Sequence, residues 1–494
     1  MSQQNEATLH TDFTKIYIDG QWRTGASDSN MTNTNPFTGE ELFTISAANQ
    51  QDLDDAYEAA QVAQKDWAKV PALKRQGLIE NFLKVLYEEK ETIIDWLIKE
   101  SGSTRIKAEG EFLASVLIVK EAATFPLRMH GEIRPSVVPG KENRIYRKAL
   151  GVIGVISPWN FPFHLAVRSI ATAIAIGNAV VVKPATDTPV SGGLIFASLF
   201  EKAGLPKGVL NVIVGRGSEI GDAIVEHPVP RLISFTGSTE VGRHIGELAG
   251  KHLKKTALEL GGNNVFVVLD DADLDRAVES AVYSKFYHQG QICMSTNRIL
   301  VASSIHDEFV EKYVARVKEL QYGDPSHDRT QVGPLINQSQ VERILEDLEK
   351  TKAAGATVRV GGEAKDNVIA PTVVTGVTND MPLAKNEIFG PVAVIIPFDT
   401  DEEALEIANS LPYGLSGAVH GSSIERATAF ALEVETGMIH INDQSVNDEP
   451  HMPFGGEKDS GLGRFNGEWV LEEFSTVQWL SVMHDRRQYK PFFE

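Results

Sequence analysis

From position 151 onward, short runs of β-branched and other apolar residues alternate with longer stretches in which apolar residues recur every three or four positions. The runs lie at 152–156, 179–182, 209–214, 232–235 and 265–269, and the stretches between them, at 163–176, 190–203, 218–226 and 240–252, are predicted to be helical. Regular alternation of this kind predicts parallel strands flanked by helices. The pattern resumes after position 293, with a strand at 298–302 and helices at 305–320 and 338–354, so a second α/β unit is predicted to begin near 261.

Before position 151 the rhythm differs. Residues 61–102 carry Ala, Leu, Glu and Lys at helical spacing and are predicted as helix. Residues 131–150 are β-prone on both sides of Pro139-Gly140 and predict a hairpin projecting between the two units, while 474–483 reads as one more strand. No internal repeat, low-complexity tract or long linker interrupts the chain.

At 494 residues the chain exceeds what one hydrophobic core organises, and 42% apolar residues suffice for two or three domains. Lys and Arg number 47 against 67 Asp and Glu, for a net charge of −20, which argues against a nucleic-acid partner. Residues 1–6 show neither a basic start nor an apolar stretch, so no secretory signal is expected. The longest apolar region, 169–182, is broken by Gly177 and Asn178 and falls short of the roughly 18 to 20 residues a bilayer requires. A soluble protein of the reducing cytoplasm, with no membrane and no metal, is the expectation.

Cys293 is the only cysteine, so it forms no internal disulfide. A lone thiol is by default a small apolar filler. What surrounds it in sequence points instead to a nucleophile. His288 stands five positions earlier, but nothing resembles a cysteine-protease surround. Asn160, between Pro158 and Pro162 at a strand-to-helix turn, either caps the helix or donates to a developing oxyanion. Glu259 ends a strand-like run before Gly261-Gly262; it is a solvated carboxylate or a base for water. Residues 235–242, Phe-Thr-Gly-Ser-Thr-Glu-Val-Gly, close a strand and open a helix, which suits a pyrophosphate although the spacing is not the Gly-x-Gly-x-x-Gly fingerprint.

Taken in order, Ile16-Tyr17-Ile18-Asp19-Gly20, Pro158-Trp159-Asn160-Phe161-Pro162, Lys183-Pro184-Ala185, Phe235-Thr236-Gly237-Ser238, Glu259-Leu260-Gly261-Gly262, Gly290-Gln291-Ile292-Cys293, Glu387-Ile388-Phe389-Gly390-Pro391 and Pro453-Phe454-Gly455-Gly456 resemble the aldehyde dehydrogenase family over nearly the whole chain. The resemblance implies two Rossmann-like α/β domains and a small β oligomerisation element. It assigns 1–130 and 151–260 to dinucleotide binding, 261–470 to catalysis, and 131–150 with 471–494 to a bridge used in a homodimer or homotetramer. It also implies that Cys293 attacks an aldehyde, that the Asn160 amide and the Cys293 N–H hold the oxyanion, and that Glu259 activates the water that releases the acid. Coenzyme contacts would come from Trp159, Lys183, Thr186, Gly237, Ser238, Gly242, Glu387 and Phe389.

Two positions depart from common family patterns. Thr186 stands where NAD-selective members often have Glu, so both NAD and NADP are expected to serve; Phe465 follows Gly463-Arg464 where many members have Glu. The segments 439–443 and 450–465 look most like the aromatic aldehyde branch, which includes vanillin and benzaldehyde dehydrogenases. Phe161, Leu165, Arg168, Ile292, Met294 and Phe454 would then wall a flat apolar slot. A ring hydroxyl would meet Arg168, or one of Asp448, Glu449 and His451. Aliphatic or semialdehyde oxidation by the same chemistry is the alternative.

Overall fold

The computed structural model describes residues 9–489; the reading of residues 1–6 lies outside them. Eight strands form the first sheet, in the order Gln21–Arg23, Ile16–Ile18, Leu210–Val212, Ala179–Lys183, Val152–Ile156, Pro230–Thr236, Lys255–Glu259 and Gly461–Leu462. The five strands from Leu210–Val212 to Lys255–Glu259 are parallel. Their residues are almost all buried, as expected of a sheet covered on both faces. The buried helix Pro162–Ile176 and the helix Thr239–Lys251 supply part of that cover.

A second sheet of seven strands runs Thr357–Val360, Thr372–Thr375, Val392–Phe398, Thr296–Ala302, Asn264–Val268, Gly417–His420 and His440–Ile441, parallel except at its first pair. Alternate side chains of Asn264–Val268 enter different cores: Val265 and Val267 pack on one face, Phe266 and Val268 on the other. The hairpin Glu132–Pro135 with Lys141–Ala149 pairs along its long arm with Ser475–Met483, making a three-stranded antiparallel sheet. The fold is therefore α/β with two parallel-type sheets and a small β element.

Three features differ from the sequence expectation. The stretch 61–102 is not one helix but parts of three, Gln50–Trp67, Ala72–Glu88 and Lys90–Ser101. Pro71, with ψ 144° and no N–H, ends the continuity of the first pair, and Glu89 (φ −100°, ψ 16°) breaks the second. Residues 190–194 and 217–221 are wound as π-helix ahead of the α-helices Ile195–Lys202 and Asp222–Glu226. Finally, Gly461–Leu462, expected with the 261–470 unit, adds antiparallel to the edge of the first sheet, pairing Gly461 with Glu259. Phe454, Phe465, Val470 and Leu471 follow it into the first core.

Candidate active site

The first sheet reverses its strand order at Val152–Ile156, since the chain proceeds outward through Ala179–Lys183 on one side and returns through Pro230–Thr236 on the other. Open α/β sheets bind ligands beyond the carboxyl ends of strands at such a reversal. The segments leaving these two strands, Pro158-Trp159-Asn160 and Thr236-Gly237-Ser238, border one cavity of about 280 Å³. Cys293, Glu387 and Phe389 face it from the side of the second sheet.

Cys293 is half-buried. Burial and the charges of Glu259 and Glu387 push its thiol up to about 12, against a smaller pull from Arg168 and the Met294 N–H. The resting residue is therefore a protonated thiol, and a nucleophile must be generated within the site. Its backbone is pinned: Asn264 Nδ2 donates to the carbonyls of Cys293 at 2.6 Å and Ser295 at 2.8 Å. The approach to Cys293 passes through His288 and Gln289, both left-handed at φ 49° and 56°. Gln289 Nε2 donates to Pro334 O at 2.9 Å, and Gln291 Oε1 accepts from Ile336 N at 3.0 Å, which holds this costly turn in place. The His288 ring meets Phe161 edge-on at 5.3 Å, and burial pushes its pKa well down.

Asn160 does not cap the helix that follows. The N–H groups of Phe163 and His164 instead donate to Glu111 Oε1 at 2.9 and 3.0 Å. This leaves the Asn160 amide free, and its Nδ2 donates at 2.9 Å to Gln291 O, two residues before the thiol. Beneath it, Lys107 Nζ donates to Asn160 O at 2.8 Å and to Ser103 Oγ at 2.9 Å, and is paired with Glu111. Lys107 and Glu111 are fully buried on the helix Arg105–Ala122. The sequence reading missed them because a Lys and a Glu four apart usually mark a solvated helix face.

Glu259 ends its strand only 1% exposed, and neither carboxylate oxygen has a hydrogen-bond partner. Burial raises it to about 8; the Arg168 and Arg464 charges act against the shift and Asp448 adds to it. A carboxyl group with affinity for protons near neutrality is suited to general-base work.

Of the expected coenzyme contacts, Trp159, Gly237, Ser238, Glu387 and Phe389 line the cavity. A side chain on Gly237 would strike the Phe235 ring at 2.4 Å, and Ser238 caps the 13-residue helix Thr239–Lys251. Glu387 accepts from Gly262 N at 3.0 Å and is raised to about 7 by burial, with Gly262 N–H, Arg343 and Lys285 opposing. Arg343, absent from the sequence reading, donates to the carbonyls of Glu387 and Ile388 at 3.1 and 2.7 Å and so holds that loop. Phe389 takes φ 51° and meets the Trp159 ring edge-on at 5.4 Å.

Three of the expected contacts do not line this cavity. Lys183 is buried at the end of its strand, lowered by burial to about 8, with Nζ donating to Pro184 O at 3.1 Å. Thr186 lines a separate polar cavity of about 210 Å³ with Asn33, Asp187 and Arg216. Gly242 packs its helix on the sheet: a Cβ there would lie 2.2 Å from Leu260 Cδ2. Close helix–strand contact requires glycine at 242.

The six expected wall residues do not line the cavity of about 280 Å³. Ile292, Met294, Leu165, Arg168 and Phe454 are buried and Phe161 is half-buried. Arg168 lies between two aromatic rings, 4.5 Å from the Phe454 centroid and 4.4 Å from that of Phe465. Its Nη1 is 3.8 Å from Asp448 Oδ2, which His164 Nε2 meets at 2.9 Å. Of the polar groups expected near a ring hydroxyl, Arg168 is buried with the half-buried Asp448 close to it, whereas Glu449 and His451 pair with each other in solvent.

No helix among the described residues is long and apolar enough to cross a membrane, and no group of His, Cys, Asp and Glu among them could hold a metal ion. Residues 22–480 match the model of the aldehyde dehydrogenase family. The chain is 54% identical to a vanillin dehydrogenase of Corynebacterium glutamicum, over 95% of this chain and 98% of that one. It is 50% identical to benzaldehyde dehydrogenase YfmT of Bacillus subtilis, over 97% and 99%. The crystal structure of a NAD-dependent benzaldehyde dehydrogenase from Corynebacterium glutamicum superposes with a TM-score of 0.89 at 50% identity, covering 96% of this chain and 99% of that one.

Proposed function

The chain belongs to the aldehyde dehydrogenase family, and from that premise we propose that it oxidises aromatic aldehydes of the benzaldehyde and vanillin type to carboxylic acids, with NAD and with NADP. The observation that carries this reading is the single cavity onto which Cys293, Asn160, Gly237, Glu387 and Phe389 all open.

The Cys293 sulfur, once ionised, attacks the aldehyde carbon. The carbonyl oxygen becomes an oxyanion, to which the Asn160 amide and the Cys293 backbone N–H donate. The nicotinamide coenzyme, when bound, supplies the hydride acceptor. Glu259 takes a proton from the water that attacks the resulting thioester; the carbon–sulfur bond breaks and the acid departs. The chain's residues fit such a coenzyme: Gly237 and Ser238 line the cavity, and the N-terminus of Thr239–Lys251, capped by Ser238, favours phosphate. The Glu387 carboxylate offers acceptors for ribose hydroxyls. Phe161, Leu165, Ile292, Met294 and Phe454 supply the apolar walls an aryl group requires.

The protein works as a homodimer or homotetramer in the cytoplasm. Exposed Ile133, Val137, Val477, Trp479 and Leu480 on the three-stranded element support association, and a reaction that depends on the one thiol suits a reducing compartment.

Benzaldehyde, vanillin, succinic semialdehyde and hexanal, each supplied with NAD and with NADP, test the assignment. Aryl aldehydes should give the highest kcat/KM and free acid without added thiol acceptors. Preference for hexanal or the semialdehyde, or coenzyme reduction by a Cys293→Ala variant, would overturn it.

A further inference from the structure

The helix Pro162–Ile176 begins without a cap of its own. Phe161 stands at its start with φ −121° and ψ 64° and makes no side-chain bond to the first turn, and Pro162 has no N–H to offer. The N–H groups of Phe163 and His164 still require acceptors, because that whole turn is buried. Asn160 is the residue in place to serve them: Asn is among the preferred helix caps, and it stands three positions before Phe163, the spacing at which such a side chain accepts. It does not do so. Glu111, from the helix Arg105–Ala122, presents Oε1 to both N–H groups at 2.9 and 3.0 Å. The Asn160 amide is spared for another partner, and its Nδ2 donates at 2.9 Å to Gln291 O on the turn that leads to Cys293.

The start of the same loop is held from the same helix. Lys107, one turn before Glu111, donates from Nζ to Asn160 O at 2.8 Å and to Ser103 Oγ at 2.9 Å, is paired with Glu111 Oε2, and lies 4.1 Å from the centroid of the Phe161 ring. Two side chains of one helix therefore fix residues 160 to 164 at the carbonyl, the ring and the two amides. Ser103, Lys107 and Glu111 are fully buried. Replacing a buried ion pair by apolar side chains of similar size is often neutral for stability, so stability alone does not account for charges at 107 and 111. What they supply is one donor and one acceptor at the two points where this loop has a carbonyl and free N–H groups to satisfy.

We propose that Glu111 and Lys107 are positioning residues for the oxyanion step: Glu111 stands in as the cap of Pro162–Ile176, Lys107 anchors the Asn160 carbonyl, and together they keep the Asn160 amide available to the reacting oxygen. This rests on the thiol chemistry proposed above. In the step concerned, a bond forms between the Cys293 sulfur and the aldehyde carbon, and the carbonyl π pair moves onto oxygen. Asn160 Nδ2 carries two hydrogens, of which one is on Gln291 O and the other remains for that oxygen. Without the Glu111 carboxylate, the open N–H groups of Phe163 and His164 attract Asn160 Oδ1, and the amide turns from the thiol toward the helix. Neither Lys107 nor Glu111 lines the cavity, so their effect on the reaction passes through Asn160.

A group that acts only through Asn160 has no effect once that amide is gone, which separates positioning from general support of the fold. The test is a mutant cycle read in kcat with benzaldehyde, with Tm and coenzyme affinity measured on every variant. Lys107→Met/Glu111→Leu removes both charges and the cap acceptor; Lys107→Met/Glu111→Gln is equally uncharged but keeps an oxygen for Phe163 and His164. The Leu pair should lose at least about tenfold in kcat, the scale of a misplaced oxyanion donor, with coenzyme affinity changed less than about threefold. The Gln pair should recover most of that loss. In an Asn160→Ala background the Leu pair should cause no further fall. Full kcat in the Leu pair, equal losses in the two pairs, or a loss that multiplies with that of Asn160→Ala would each overturn the proposal. Should the Leu pair fail to fold, Glu111→Asp, which keeps a charge beside Lys107 but draws the carboxylate back from the helix, takes its place in the cycle with Asn160→Ala; full kcat or a multiplying loss overturns the proposal there as well. If Asn160→Ala by itself leaves kcat unchanged, the oxyanion role proposed above falls instead.

Discussion

A methyl group on Gly262 would lie 2.3 Å from the carbonyl oxygen of Cys293. The glycine that follows the strand carrying Glu259 thus lets the backbone bearing the thiol pass at van der Waals range. Gly262→Ala should displace Cys293, lower stability by roughly 1–3 kcal/mol as overpacking does, and reduce kcat at least tenfold by misaligning the sulfur. Thermal melts and steady-state kinetics on one preparation check this; an unchanged Tm with full activity would show that the contact relaxes freely.

Asn160→Ala removes the amide that stands beside Gln291 O and Cys293. Loss of one preorganised oxyanion donor costs about 10² to 10³ in kcat. Because Lys107 grips the Asn160 carbonyl and Glu111 caps the helix, the loop should keep its shape, and coenzyme affinity measured by fluorescence titration should change less than threefold, an order-of-magnitude expectation for a contact made only in the transition state.

Glu259 has an ordinary carboxyl value of 4.5 when unfolded and about 8 when folded. Between these values the folded protein binds more protons than the unfolded one, so this residue's contribution to stability is present at low pH and is lost as pH rises through the window. Glu259→Gln should therefore gain in Tm relative to the unaltered protein as pH is raised from 5 to 8, while acid production collapses. A constant Tm difference across that range would contradict the assignment.

Thr186 borders a polar cavity that also holds Arg216. Comparable kcat/KM is expected with NAD and NADP, and Thr186→Glu should depress use of NADP at least tenfold through repulsion between carboxylate and phosphate, on the order of 1–2 kcal/mol. A strong native preference for NAD that Thr186→Glu leaves unchanged would place coenzyme selection elsewhere.

The central strands of the first sheet, and Asn264–Val268 and Thr296–Ala302 of the second, were legible because they are buried on both faces and therefore written as near-unbroken apolar runs, such as Val152–Ile156, whereas Thr372–Thr375, Val392–Phe398 and Gly417–His420 went unread. The helices of 61–102 merged in the reading because a single proline at 71 is weak punctuation in an otherwise helical composition. Cys293, Asn160 and Glu259 stood out through residue chemistry beside glycines and prolines. The groups that hold the site did not: Lys107 on Asn160, Asn264 on Cys293 and Arg343 on the Glu387 loop act through carbonyl oxygens, and backbone acceptors leave no trace in side-chain pattern. The aromatic clamp on Arg168 was illegible for another reason. It requires Phe454 and Phe465 to face each other across a bridge and then to meet a helix from the opposite half of the chain.

Gly461–Leu462 leaves the second sheet's part of the chain to complete the first. The protein is for that reason not divisible into two modules at position 261. An isolated fragment ending there would expose the naked edge of Lys255–Glu259, a row of unpaired amides and carbonyls that invites pairing with another copy. It would also lose Phe454, Phe465, Val470 and Leu471 from its core, so interlaced connectivity commits this enzyme to being made, and unmade, as a whole.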